Sequence, residues 1–159
     1  LSGTAPTLNA GEAFSVRVDW VRNNSASDFY RFTNAPDSDF FEWNEVLTNP
    51  DFRVLAVTTS SITFTDVACA TSVPPTSRRI KFGGWVNDAA VTKYMMVRNK
   101  DCGNVAYGAA AAQVGTTVGT DEALAQFDIG CDSAQKVQYR TEATTNDARL
   151  HVWGYWDIR

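Results

Sequence analysis

Apolar side chains in this 159-residue chain recur at every second position in one segment after another. That period suits strands with one buried face and does not suit a helix, whose buried stripe repeats every 3.6 residues. Phe14, Val16, Val18 and Trp20 alternate with Ser15, Arg17 and Asp19. Within Arg79–Val86, Ile80, Phe82 and Val86 share one parity and Trp85 falls on the other. Further strand signals lie at Arg53–Thr58, Ser61–Thr65, Val91–Arg98, Ala123–Ile129, Val137–Arg140 and Arg149–Arg159. Turn-formers separate them at Asn23–Asp28, Asn87–Asp88, Asn99–Asn104 and Gly130–Ser133. Composition agrees: 16 Val, 4 Ile and 17 Thr stand against 6 Leu and 2 Met, with 19 aromatic residues besides. β-branched and ring side chains pack well on a pleated surface, whereas the straight-chain helix formers are scarce.

About eight strands with turns between them, and no alternation with helices, predict an all-β fold: an antiparallel β-sandwich, jelly-roll-like, with an N-terminal arm. Residues 1–12 are small, polar and Pro-containing and read as an arm or linker; 13–159 read as a single sandwich domain. A chain of this size buries roughly two-thirds of its unfolded surface, enough for a core without metal or disulfide. Three stretches escape the strand pattern. Residues 29–53 are rich in aromatics but poorly periodic, with a short helix expected over Phe40–Leu47. Residues 66–77 read as a loop ended by Pro74 and Pro75, and 105–118 as an irregular Ala/Gly segment. The chain begins at Leu1, so a processed or shortened N-terminus is expected, and no signal peptide is visible.

Charge and reactive residues exclude more than they suggest. The net charge is −4, and the basic residues are scattered, so no stripe faces phosphates and nucleic acid is not an expected partner. No apolar run approaches the ~20 residues of a membrane span. The three cysteines (Cys69, Cys102 and Cys131) and the single His151 have no metal-ligand spacing, so no metal is expected. Free buried thiols are the first expectation; Cys102 and Cys131, each in a Gly/Asp turn, are the best disulfide candidate. The loop Asn34–Asp39 is the best place for a calcium ion but lacks EF-hand spacing, and a solvated turn is expected there. For catalysis, one histidine among aromatics offers no nucleophile–base pair. The paired carboxylates Asp37, Asp39, Glu42, Glu45, Asp121 and Glu122 sit in turn-like stretches. Neither an enzyme nor a cofactor is expected.

The last strand is the most informative. By simple alternation Leu150, Val152, Gly154, Trp156 and Ile158 form one face; Arg149, His151, Trp153, Tyr155 and Asp157 form the other. Each covered aromatic buries on the order of 150–250 Å², so a second face carrying His151, Trp153 and Tyr155 calls for cover, from a neighbouring subunit as the preferred reading or from the chain's own N-terminal segment as the alternative. Trp85 and Trp43 are further candidates, either for an interface or for stacking on a glycan.

Asp66, Val73-Pro74, Arg78-Arg79-Ile80 and the terminal Leu150-His151-Val152-Trp153-Gly154-Tyr155-Trp156 resemble the C-terminal β-sandwich domains of tailed-bacteriophage virion proteins, of capsid-decorating, head-fibre or tail-fibre type. The resemblance covers residues 61–159 and implies a structural protein of the virion surface. It also implies a homotrimer as the usual assembly, other virion proteins as partners, a possible host surface glycan as ligand, and no catalytic residue. Two rival expectations come from other classes. One is a secreted, extracellular carbohydrate-binding module; the other is a surface-filament subunit whose arm completes a neighbour's sheet.

Overall fold

A computed structural model describes residues 30–34, 38–44, 50–87, 94–102, 114–115 and 122–157. The chain divides into two compact units, Leu1–Tyr30 and Arg31–Arg159. The expected arm over 1–12 and the alternating segment Phe14–Trp20 lie outside the described residues, as does the Asn23–Asp28 turn.

Among the described residues the second unit carries ten strands in two antiparallel sheets, an all-β sandwich as expected. The strands are β1 (Phe32–Asn34), β2 (Phe40–Trp43), β3 (Arg53–Val57), β4 (Thr65–Ala68), β5 (Ser77–Asn87), β6 (Tyr94–Asn99), β7 (Val114–Gly115), β8 (Glu122–Gly130), β9 (Lys136–Thr141) and β10 (Asp147–Asp157). One sheet runs β1-β2-β10-β5-β8, and β3 pairs with the N-terminal half of β10 along the edge that β2 uses further on. The other runs β4-β9-β6-β7.

Alternation works as the sequence implies where the strands are regular. In β5, Ile80, Phe82 and Val86 are fully buried while Lys81, Gly83 and Trp85 are half-buried. Opposite them in register, β10 contributes Ala148, Leu150 and Val152, all fully buried. The second sheet supplies Met95, Val97, Val137 and Tyr139 to the core. Each large side chain sealed this way contributes about 1.5–3 kcal/mol.

Two expectations change. The helix over 40–47 is not formed in its described part: Phe40–Trp43 is strand β2, because pairing with β10 puts the Phe41 ring 5.1 Å from Tyr155 and packs Trp43 into the core, at 3% exposure. The burial of these rings against a sheet outweighs a local helix preference. The strand expected at Ser61–Thr65 starts only at Thr65 and runs to Ala68, inside the stretch read as loop. Ser61 instead closes a local turn, its hydroxyl donating to the Thr63 carbonyl and accepting from Thr65, and such side-chain bonds compete with a ladder.

Candidate interface on the outer face of the six-stranded sheet

The simple alternation of β10 breaks at Trp153. Val152 pairs with Phe82 on β5, yet the next pair is Gly154 with Lys81, so Trp153 is the extra residue of a β-bulge. A bulge sets two successive side chains against one on the partner and reverses the parity of all that follows. Trp153 lies over Gly83 on the outer face, where any Cβ on Gly83 would strike the indole. Gly154 points the same way and sits under the Phe40 ring. Beyond the bulge Tyr155 turns inward and Trp156 outward, the reverse of the expected assignment.

Tyr155 is therefore not an interface residue but part of the protomer's own core. It is 2% exposed, stacks on Phe41 with 9° between the ring planes, and lies 5.8 Å from Trp43. Trp43 is corrected in the same way: it is no surface platform for a glycan or a neighbour. Its indole N–H donates to the Ser72 carbonyl at 3.2 Å, and its ring lies 5.1 Å from Phe52. A buried indole needs such an acceptor, and this one comes from the loop after β4.

The outer face is built from the opposite parity of five strands. At one end Trp85 lies between Arg149 on β10 and Leu124 on β8 in register. The Arg149 guanidinium covers the Trp85 ring at 4.3 Å, while Leu124 is 77% exposed. Midway stand Trp153, His151 and, paired with His151 from β3, Arg53. At the other end the Trp156 and Phe40 rings meet at 4.4 Å. Arg79 lies over Trp156 at 5.3 Å and Lys81 over Phe40 at 5.4 Å. Lys81 also pairs with Glu42 at 3.4 Å and Arg79 with Asp128 at 3.7 Å. Cation–ring contacts at exposed sites contribute about 0.5–1 kcal/mol each. They cover part of each ring and leave part of it in water. Phe40 and Trp156 were not singled out by sequence reasoning; Gly154, a glycine inside a strand, is the signal of a bulge that would have found them.

His151 is the titratable group of this face. Burial disfavours its imidazolium, and the charges of Arg53 and Arg149 add to that, so its pKa lies below the ordinary 6.5. The unfolded chain then takes up this proton at higher pH than the folded one. Stability from this group is complete above about pH 6.5 and falls as the pH drops toward the folded-state value. His151→Gln is expected to flatten that part of the pH dependence. Urea midpoints of both proteins at about pH 7 and about pH 5 measure it; equal losses in the two would show that His151 contributes nothing.

The candidate Cys102–Cys131 disulfide is not formed, and all three cysteines are free thiols. Cys102 is exposed in the turn after β6, whereas Cys131 faces inward and its thiol donates to the Ser77 carbonyl at 3.4 Å. Burial pushes the Cys131 thiol up to about 11 and the Cys69 thiol well above the normal thiol range. Thiolate is the reactive form. A maleimide is thus expected to label Cys102 alone in the native protein and all three thiols in denaturant, which mass spectrometry reads directly.

Of the residues that carried the resemblance, Asp66 lies on β4. There it accepts from Lys100 at 2.6 Å and Gln138 at 2.9 Å, with Lys136 at 3.7 Å. The hydrogen bond from Lys100, with that from Gln138, holds its carboxyl below the ordinary carboxylate value. Val73 is fully buried. Among the described residues no helix is long and apolar enough to cross a membrane. Compared with known proteins, the chain matches no family model, and no curated protein is a match.

Proposed function

We propose that this chain is a non-enzymatic structural protein of a tailed-bacteriophage surface, a capsid-decorating, fibre or tail-tip domain that assembles as a homotrimer. Its mechanism is apolar and shape complementarity between copies, through the outer face of the six-stranded sheet. The observation that supports it is that face itself, on which Trp85, Trp153, Trp156 and Phe40 are partly covered and Leu124 is 77% exposed. At most about a third of each ring, on the order of 50–80 Å², remains in water, so the four rings contribute up to roughly 200–300 Å² toward the ~800 Å² per partner of a standard interface. The aliphatic stems of Arg53, Arg79 and Arg149 add to that area. The phage assignment rests on the resemblance over residues 61–159.

Light scattering tests the assembly. A particle three times the 17.5 kDa chain mass is expected, converting to monomer on Trp153→Ala or Leu124→Glu. A monomeric wild-type protein would overturn the reading. A monomer that binds glycans and loses them on Trp85→Ala would identify a secreted carbohydrate-binding module instead. Assembly is preferred because Arg149 already occupies one face of the Trp85 ring, where a pyranose would stack.

A further inference from the structure

At one end of the sandwich the start of β5, the end of β8 and the end of β6 enclose an open cleft of about 500 Å³. We propose that this cleft binds a carboxylate-bearing sugar, with the Arg78 guanidinium as partner of the carboxylate. Arg78 is held in place by its own neighbourhood: its Nη1 donates to the carbonyls of Pro75 and Ser77, each at 3.0 Å. Among the described residues it has no carboxylate partner, although the chain as a whole carries net charge −4. A guanidinium presents five donors in a planar fork that matches a carboxylate. With Nη1 engaged, Nε and Nη2 remain to bind one in the two-pronged geometry. Because its orientation is already fixed, little conformational freedom is lost on binding.

The rest of the lining suits a sugar ring. The side-chain carbonyl of Asn99 accepts the Asp101 N–H at 3.0 Å, which orients the amide. The Asn99 Nδ2 then stands on the β8 side of the cleft, beside Gly130, as a donor for a hydroxyl. Ile129, half-buried at the end of β8, gives apolar wall for a pyranose face. The one acidic lining residue, Asp128, lies 3.7 Å from Arg79, which offsets its charge. Arg98 also lines the cleft, but its head is engaged by Gln138 at 2.9 Å and by the Phe64 ring at 3.6 Å. The volume falls within the ~300–1,000 Å³ of small-ligand sites, room for one or two sugar rings. This site does not depend on assembly through the outer face.

Titration of the wild-type protein with N-acetylneuraminic acid and with glucuronic acid, followed by NMR, is expected to show saturable millimolar binding. Glucose and acetate are expected to bind at least tenfold more weakly. Arg78→Gln should weaken the acidic sugars at least tenfold with an unchanged thermal midpoint, while Arg149→Gln, on the outer face, should not. Cys102 lines the same cleft, so bound sugar should also slow its alkylation by N-ethylmaleimide, a readout that needs no variant. The proposal is overturned if neither acidic sugar binds, if glucose or acetate binds as well, or if Arg78→Gln or Cys102 alkylation proves indifferent to the ligand.

Discussion

Tyr155→Ala is expected to destabilise the protein by about 3–5 kcal/mol, as truncation of a large buried ring does. The ring is 2% exposed and stacked at 5.1 Å on Phe41, with Trp43 at 5.8 Å. Its removal leaves a cavity that these neighbours, fixed on β2, cannot close. Domains are stable by only about 5–15 kcal/mol, so roughly a fifth of the margin or more would go. Trp153→Ala, two residues earlier on the same strand, is expected to cost the isolated protomer clearly less, because that ring lies on the outer face and keeps part of its surface in water. Urea denaturation of the two variants gives the comparison. Under unbroken alternation the pair would face the same way and lose similar amounts, so equal losses would refute the bulge at Trp153.

Gly154→Ala is expected to cost more than Gly83→Ala, by about 2 kcal/mol, although both add one methyl to the outer face. At Gly154 the new Cβ would strike the backbone carbonyl of Phe41 and stand 2.8 Å from the Phe40 ring. A carbonyl held in the β2–β10 ladder cannot turn aside, so the strands must separate there. At Gly83 the nearest obstacle to the Cβ is the indole of Trp153, a side chain that can rotate toward solvent. Thermal and urea unfolding of the two variants measure the difference, and Gly83→Ala should also disturb the assembly that depends on Trp153. Equal stabilities would mean that β2 does not pair with β10 as described.

Strand β5 was legible from its residues alone. Eleven residues long and regular up to the far end of its ladder with β8, it keeps Ile80, Phe82 and Val86 on the core side and Trp85 on the other. Strand β10 was legible as a strand, but not which rings it buries. Its first half follows alternation through Ala148, Leu150 and Val152, and its second half inverts it. The outward His151 and Trp153 of the candidate interface were thus recognisable, Tyr155 was misplaced, and Trp156 with Phe40 went unnoticed. The cysteine turns misled for a related reason. A Gly/Asp turn says where the chain reverses, whereas the direction of the Cys131 thiol is set by packing beneath Ser77.

By itself the sequence determined the class of fold, because a two-residue period and β-branched side chains are local properties that each segment carries without its neighbours. Only the tertiary structure decided which aromatic rings seal the core and which face outward. One extra residue at Trp153 reverses every side chain after it, and where a ladder inserts that residue depends on the partner strands and not on the strand's own letters.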